Sequence, residues 1–333
     1  MTAESPAARL LQLASGFRIT QALYVVAKLG VADRLAKGPQ TCRELAPLVG
    51  AHERSLFRVM RALASLGVFG QDSEDRFSLN SMSSLLVSDA PDSVRAVVLV
   101  WGSEMYRAAG ELLASVKTGK TAFDSVFGEG HFEYLGKHPE ESETFNTMMA
   151  QMLRANPTRR SIERYDFTGR KTVVDVGGGV GELLASILLR NPHLTGVLYD
   201  LPAAVKSAPD LLRARGVDGR VKIVTGSAFD SIPGGGDVYT MSRVLHDHPD
   251  DVALKILRHC RRVIPSDGVL LIGDSVVPGG STPSQGKVVD LTMLIMTGGR
   301  ERTEEDWKVL LKEGGFTMAR ADDKESLVEA RPS

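Results

Sequence analysis

Apolar positions set the frame. In "ITQALYVVAKLGVADRLA", Ile19, Leu23, Val26, Leu29 and Val31 recur at helical spacing, and Gly30 is where such a helix stops. The next stretch places Leu45, Leu48 and Val49 before a turn at Gly50, then Leu56, Val59, Met60 and Leu63. Two short helices followed by the strand pair "GVFGQ" and "RFSLN" make a winged-helix pattern within residues 1–100. Residues 101–168 read as helix, with an amphipathic "SEMYRAAGELLASVKTG" and a "TFNTMMAQMLRA" that carries Met148, Met149 and Met152 near one face. After Gly169 short β-branched runs ("TVVDV", "GVLYD", "VKIVTG", "DVYTMS", "GVLLIGDSV") alternate with helical stretches. Such alternation implies parallel pairing, because each crossover must span the sheet. The expectation is an α/β chain: a winged-helix-like region over 1–100, a helical linker over 101–168, and a doubly wound sheet over 169–333.

Composition narrows the partners. Of 333 residues, 43% are hydrophobic and 24% charged, and the net charge is −1, as in globular proteins. A winged helix can place a helix in the major groove, but that use needs excess positive charge. Arg43, Arg54, Arg58, Arg61 and Arg76 are matched by Glu44, Glu53, Asp72, Glu74 and Asp75, so packing or dimerisation is expected rather than nucleic-acid binding. The start "MTAESPAARLLQLASG" lacks the form of a signal peptide and no apolar run is expected to span a membrane, so a cytoplasmic location is expected. Cys42 and Cys260, far apart, indicate neither a disulfide framework nor a zinc knuckle. "TGKT" at Thr118 to Thr121 lacks the glycine and preceding strand of a phosphate loop.

"VVDVGGGVGE" decides the ligand class. A strand ending in Asp175-Val176 runs into Gly177, Gly178, Gly179 and Gly181, then a helix. Glycines admit positive φ and a close ligand. The dinucleotide fingerprint would need glycine where Glu182 stands, and a carboxylate there repels a pyrophosphate. A cationic, phosphate-free nucleoside fits instead: S-adenosyl-L-methionine, whose ammonium an acid before the glycines can accept from. Asp200, one helix and one strand later, is placed to accept the ribose hydroxyls.

With these motifs on view, nearly the whole chain resembles the S-adenosylmethionine-dependent O-methyltransferases of the plant caffeate and flavonoid type, with their bacterial polyketide- and phenazine-tailoring relatives. The resemblance rests on "LGVADRLA", "VVDVGGGVGE", "DLP" at Asp200 to Pro202, "RVLHDHPDD" at Arg243 to Asp251 and "GGRERTEEDW" at Gly298 to Trp307. It implies a Rossmann-like methyltransferase domain behind a dimerisation domain, a homodimer, and a cofactor set of Asp175, the four glycines, Asp200, Leu201, Gly226, Ser227, Ala228, Phe229, Ser242 and Arg243.

The chemistry asks for a base. A phenol has a pKa near 10, so at pH 7 its oxyanion is suppressed by about three units, roughly 4 kcal/mol. A base tuned near neutrality lifts the proton as the oxygen attacks the sulfonium methyl, and histidine is the natural candidate. Of seven histidines, His246 follows the "DVYTMS" strand at the ligand-facing edge, and it matches the family's general base. By resemblance Asp274 and Glu301 orient its imidazole, and Asp247 helps hold the cofactor or the loop. Thr303 and Asp306 also read as a capping pair opening the next helix.

Several positions depart from the family pattern. Asp274 stands for a glutamate of plant members, His248 for a tryptophan, Ser227 for the acid that contacts the adenine amine, and Ser242 for a lysine. His246 and His248 form an HxH pair with no convincing third ligand, so no metal is expected. Trp101, Met105, Phe145, Asn146, Met149, Asp290, Met293 and Met296 resemble the positions that clamp a flat aromatic acceptor. Methionine and aromatic walls suit a planar ring.

The expected function is O-methylation of a small aromatic secondary metabolite, releasing S-adenosylhomocysteine. Two alternatives stay open. One is N-methylation of a heterocycle, or a non-methylating use of the fold. The other, from a different class, is a winged-helix regulator that senses S-adenosylmethionine.

Overall fold

In the computed structural model, which describes residues 5–155, 161–324 and 326–333, the chain divides into two units. The first comprises residues 1–107 and 140–152, the second 108–139 and 153–333. The segment 101–168 is therefore shared between them, and its residues 156–160 lie outside the described ones.

The first unit follows the periodicity of its apolar residues. Helices Phe17–Lys28, Val31–Leu35, Cys42–Val49 and Glu53–Ser65 bury Val26, Leu35, Leu45, Leu56, Met60 and Leu63 against Phe77. A capping box starts Cys42–Val49, the third of these four helices: Thr41 Oγ1 accepts from Glu44 N, and Glu44 accepts from Thr41 N. Gly50 ends it in the left-handed conformation, with φ 67°. β2 (Gly70–Gln71) and β3 (Arg76–Ser78) form the expected hairpin, and β1 (Gln40–Thr41), not foreseen, pairs with β3 on its other side. Two of the arginines weighed for nucleic acid sit in ion pairs, Arg43 with Glu53 and Arg76 with Glu44.

The first helix, Pro6–Ala14, buries none of its residues, and Leu10, Leu11 and Leu13 stand more than 60% exposed. Residues 6–28 together are long and apolar enough to cross a membrane by length and composition, which corrects the expectation of no such run. That expectation looked for one unbroken apolar block, whereas here the apolar residues are spread over two successive helices. Helix Arg95–Gly102 packs Ala96, Val97 and Val100 on Met148. The single helix expected over "SEMYRAAGELLASVKTG" is broken into Glu104–Ala109 and Leu112–Thr118 around Gly110.

The second unit is built on a seven-stranded sheet of order β6-β5-β4-β7-β8-β10-β9. Its strands are β4 (Thr172–Val176), β5 (Thr195–Asp200), β6 (Val221–Thr225), β7 (Val238–Ser242), β8 (Val269–Gly273), β9 (Phe316–Asp322) and β10 (Leu327–Pro332). β4 to β8 pair in parallel, while β10 runs antiparallel to both β8 and β9. The sheet is therefore mixed. The closing hairpin escaped the sequence reading because "FTMARAD" at the sheet edge has little apolar patterning.

Alternate residues of the central strands feed two cores, as the period of two requires. Val174, Val176, Tyr239, Met241 and Ile272 meet helix Asp250–Val263 through Ala253, Ile256 and Leu257, together with Trp307. Val173, Leu198, Val238 and Leu271 meet helix Glu182–Arg190 through Leu183, Leu184 and Ile187. Because β4, β5, β7 and β8 run parallel, their carboxyl ends lie along one edge, where a topological switch falls between β5 and β7 on either side of β4.

Candidate active site

The glycine turn follows β4 directly. Gly177, Gly179 and Gly181 take φ of 70°, 55° and 85°, a region an L-residue with a side chain rarely enters. Gly178 meets a different constraint: a Cβ there would stand 2.5 Å from both Asp175 Oδ2 and Leu198 Cδ1. Asp200, closing β5, accepts from Gly179 N at 2.8 Å through Oδ2 and from Leu201 N at 2.7 Å through Oδ1. Burial raises its pKa, partly offset by these two backbone bonds.

Asp175 lies beneath the turn, 1% exposed. Its cross-strand neighbour Thr240 donates Oγ1–H to Oδ1 at 2.6 Å. Desolvation pushes the Asp175 carboxyl up to about 7, the Thr240 bond opposing and the charge of Asp200 adding. Glu182 also turns inward. It is buried and ion-paired with Arg215, so its charge is compensated at the helix start rather than presented to a ligand.

After β6, Gly226 packs on Tyr199, whose hydroxyl would stand 2.5 Å from a Cβ. Ser227 Oγ accepts from Phe229 N at 3.2 Å, Ala228 packs on the core, and Phe229 and Leu201 remain 39% and 45% exposed. The Phe229 ring meets His248 edge to face, with centroids 5.1 Å apart. Burial pulls the His248 pKa down to about 4, which keeps that ring neutral.

After β7, Arg243 holds φ 57° and donates its backbone N–H to Gly273 O, turning the chain into the His246 segment. Among the described residues, Asp175 Oδ2, Ser242 Oγ and Arg243 Nε are buried with no hydrogen-bond partner.

His246 is 2% exposed. Its Nδ1 stands 2.8 Å from Glu301 Oε1, and its Nε2 3.8 Å from Asp247 Oδ1. Burial draws the imidazole pKa down, but the charges of Asp247 and Asp274 and the bond to Glu301 outweigh it, so the net shift is upward. Glu301 is held below its ordinary value, because the bond and charge of His246 outweigh its own burial. Asp247 and Asp274 are both pushed up, chiefly by burial.

Two expected roles change. Asp274 Oδ2 accepts from the backbone N–H of His246 at 3.0 Å, not from the ring; the aspartate fixes the loop while Glu301 fixes the imidazole. Asp290 Oδ1 accepts from Glu301 N at 2.7 Å. That carboxylate supports Glu301 rather than standing with the acceptor-clamping positions where it was expected. The capping pair also forms, Asp306 accepting from Thr303 N at 2.9 Å, so Glu301 is left free of that duty.

The remaining acceptor candidates fall in separate units. In the first, Trp101 is 46% exposed, Met105, Phe145 and Met149 pack on the small Val100–Met148 cluster, and Asn146 is half-buried. In the second, Met293 and Met296 are buried on helix Gln285–Met296. The residues that sequence reasoning missed are Thr240, Asp250, Gly299 and Arg302, which hold the named ones in place.

Comparison with known proteins gives the family. Residues 110–317 match the O-methyltransferase domain family and residues 11–89 the O-methyltransferase dimerisation domain. The chain is 42% identical over 326 residues to the phenazine O-methyltransferase PhzM of Lysobacter antibioticus, covering 97% of this chain and 95% of that one. The crystal structure of LaPhzM superposes with a TM-score of 0.95 at 41% identity, over 99% of this chain and 100% of that one. A second crystal structure is NcsB1, an O-methyltransferase from neocarzinostatin biosynthesis in complex with S-adenosyl-L-homocysteine and 1,4-dihydroxy-2-naphthoic acid. It has a TM-score of 0.84 at 32% identity, over 97% of this chain and 98% of that one.

Proposed function

The chain belongs to the S-adenosylmethionine-dependent O-methyltransferase family, and from that premise we propose that it methylates a hydroxyl of a small, flat aromatic secondary metabolite, with His246 as the general base. The observation that carries this reading is the 2.8 Å bond between His246 Nδ1 and Glu301 Oε1. A carboxylate held below its ordinary pKa only accepts, so Nδ1 carries the hydrogen and Nε2 keeps its lone pair. Nε2 takes the phenolic proton, and the Glu301 charge stabilises the imidazolium that results. Asp274, through the backbone N–H, keeps the ring from withdrawing.

The cofactor fits the residues present. When bound, S-adenosylmethionine supplies the electrophilic methyl. Gly177, Gly178, Gly179 and Gly181 offer backbone with no side chain in the way, and Asp200 lies at the β5 end to hold the ribose hydroxyls. Phe229 and Leu201 supply exposed apolar surface beside it for the adenine. The buried, unpartnered Asp175 Oδ2, Ser242 Oγ and Arg243 Nε are polar atoms that a ligand at this edge would complete. Asp175, under the turn, would accept from the ammonium through its unpartnered Oδ2, the cation's charge favouring the ionised carboxylate.

The dimerisation domain implies a dimer, with the exposed leucines of Pro6–Ala14 as its apolar face. The apolar stretch 6–28 then serves a second subunit rather than a membrane, and the protein works in the cytoplasm without nucleic acid. The acceptor class follows the relatives, whose names give a phenazine and, in the complex, a dihydroxynaphthoic acid.

The test is a mass-spectrometric screen of purified protein with S-adenosylmethionine and a panel of hydroxyphenazines, hydroxynaphthoates, catechols and anthraquinone phenols, wild type beside His246→Ala. A product heavier by one methyl, lost in the variant, supports the reading. Methylation at full rate by His246→Ala removes His246 from the mechanism.

A further inference from the structure

Arg302 is fully buried, and its guanidinium is committed to backbone carbonyls and one carboxylate. Nη1 donates to Leu245 O at 2.9 Å and Nη2 to His248 O at 3.0 Å, so the carbonyls on both sides of the His246–Asp247 pair are gripped by one planar group. Nε and Nη2 donate to Asp250 Oδ1 at 3.0 and 2.8 Å, which anchors the fork at the start of helix Asp250–Val263. The Trp307 ring closes the opposite side, its centroid 5.2 Å from the guanidinium carbon.

The backbone of the same residue reaches the third segment. Arg302 bridges Val276 in parallel, and its carbonyl accepts from Val277 N at 2.9 Å, just beyond Asp274. The next residue toward the N-terminus is Glu301. Segments bearing His246, Asp274 and Glu301 therefore meet at a single side chain and its own peptide. Gly299 shows how tightly they meet: a Cβ there would overlap His246 O and the Asp247 and His248 backbone.

A lysine cannot reproduce this. Its ammonium is one point with three donors, whereas the arginine fork places donors in one plane toward acceptors on separate residues. A buried arginine serving only as counter-ion to Asp250 would have no need to bracket the base from both sides.

We infer that Arg302 is a positioning residue for the reaction: by clamping Leu245 O and His248 O while its backbone is pinned beside Asp274, it sets the distance between the His246 ring and Glu301. This rests on His246 being the base. Arg302 touches none of the reacting groups; it acts through Glu301 and the His246 loop.

The experiment is a double-mutant cycle on the full-length enzyme: wild type, Arg302→Lys, Glu301→Gln and the double variant. Each is measured for kcat against pH, for cofactor Kd by calorimetry, and for the His246 Nδ1–H proton signal by NMR. A misplacement of about 1 Å costs about 10²-fold in rate, so Arg302→Lys is expected to lose about that factor in kcat. Its cofactor Kd should stay near wild type, and its downfield Nδ1–H signal should be lost or moved. In the Glu301→Gln background the same change should cost no more than about twofold, since the two act through one contact and are not additive.

Equal losses in both backgrounds, or a folded Arg302→Lys with wild-type kcat and an unmoved proton signal, overturn the inference. Should Arg302→Lys fail to fold, Asp250→Asn replaces it; it loosens the anchor and should give a smaller loss with the same non-additivity, and an additive or absent loss counts against the inference. His246→Ala separates the two readings. Full rate there sinks the base assignment, whereas an inactive His246→Ala beside a fully active Arg302→Lys sinks only the positioning role.

Discussion

His246 Nδ1 stands 2.8 Å from Glu301 Oε1, across 55 residues of sequence. That bond assigns the imidazole tautomer, and its partner's charge, with those of Asp247 and Asp274, holds the His246 pKa above its ordinary value despite burial.

A pH dependence with a definite sign follows. Nε2 accepts a proton only while the ring is neutral, so kcat/KM should rise with pH through a midpoint above about 6.5, the free histidine value. Glu301→Gln removes one of the raising influences and should move the midpoint to lower pH, while lowering the maximal rate by about 10²-fold or more, as expected when a base loses its orienting partner. A pH–rate profile of both proteins decides it; an unmoved midpoint would show that Glu301 does not act on His246.

Cofactor affinity tests the other proposed residues. Asp200→Ala removes a carboxylate that holds two backbone N–H groups and, on the proposed reading, the ribose hydroxyls. Charge-assisted hydrogen bonds contribute about 1.5–3 kcal/mol, so binding should weaken by roughly 10- to 100-fold. Gly178→Ala should act similarly, because its Cβ collides with Asp175 and Leu198. Titration calorimetry with S-adenosylhomocysteine reads both, and wild-type affinity in both variants would move the cofactor elsewhere.

Asp175 makes stability depend on pH. Its carboxyl, pushed up to about 7 by burial, holds a proton in the folded protein that the unfolded chain releases near 3.9. The folded state binds more protons between those values, so this group's contribution to stability is complete below about 4 and is lost as pH rises to about 7. Asp175→Asn cannot titrate. Thermal melts from pH 4 to 8 should show the variant gaining on wild type up to about pH 7 and holding level beyond it; a constant difference across the range would mean Asp175 is ionised throughout.

The proposed dimer face is the N-terminal helix. Leu11 and Leu13 are 70% and 63% exposed in the single chain, and burying a leucine contributes about 1.5–3 kcal/mol. Leu11→Glu with Leu13→Glu should weaken the dimer by at least about 10²-fold. Sedimentation equilibrium against concentration measures this. An unchanged dimer would place the interface on another face.

By itself the sequence determined what is local. Helix period placed Leu56, Met60 and Leu63 on one buried face; the alternation of strands and helices specified the parallel β4–β8 core; and the glycine run announced a turn with positive φ. These depend on neighbours a few residues apart, which any chain segment carries with it.

The tertiary structure decided everything that depends on how separate strand ends line up. Sheet register put Thr240 opposite Asp175 and buried that acid under the turn. The approach of three loops gave Asp274 to the His246 backbone instead of its ring and Asp290 to the Glu301 backbone, and drew Arg302 inside. An arginine in "GRERT" reads as surface until its acceptors are known, since burial of a charge is favourable only where partners from distant segments already surround it.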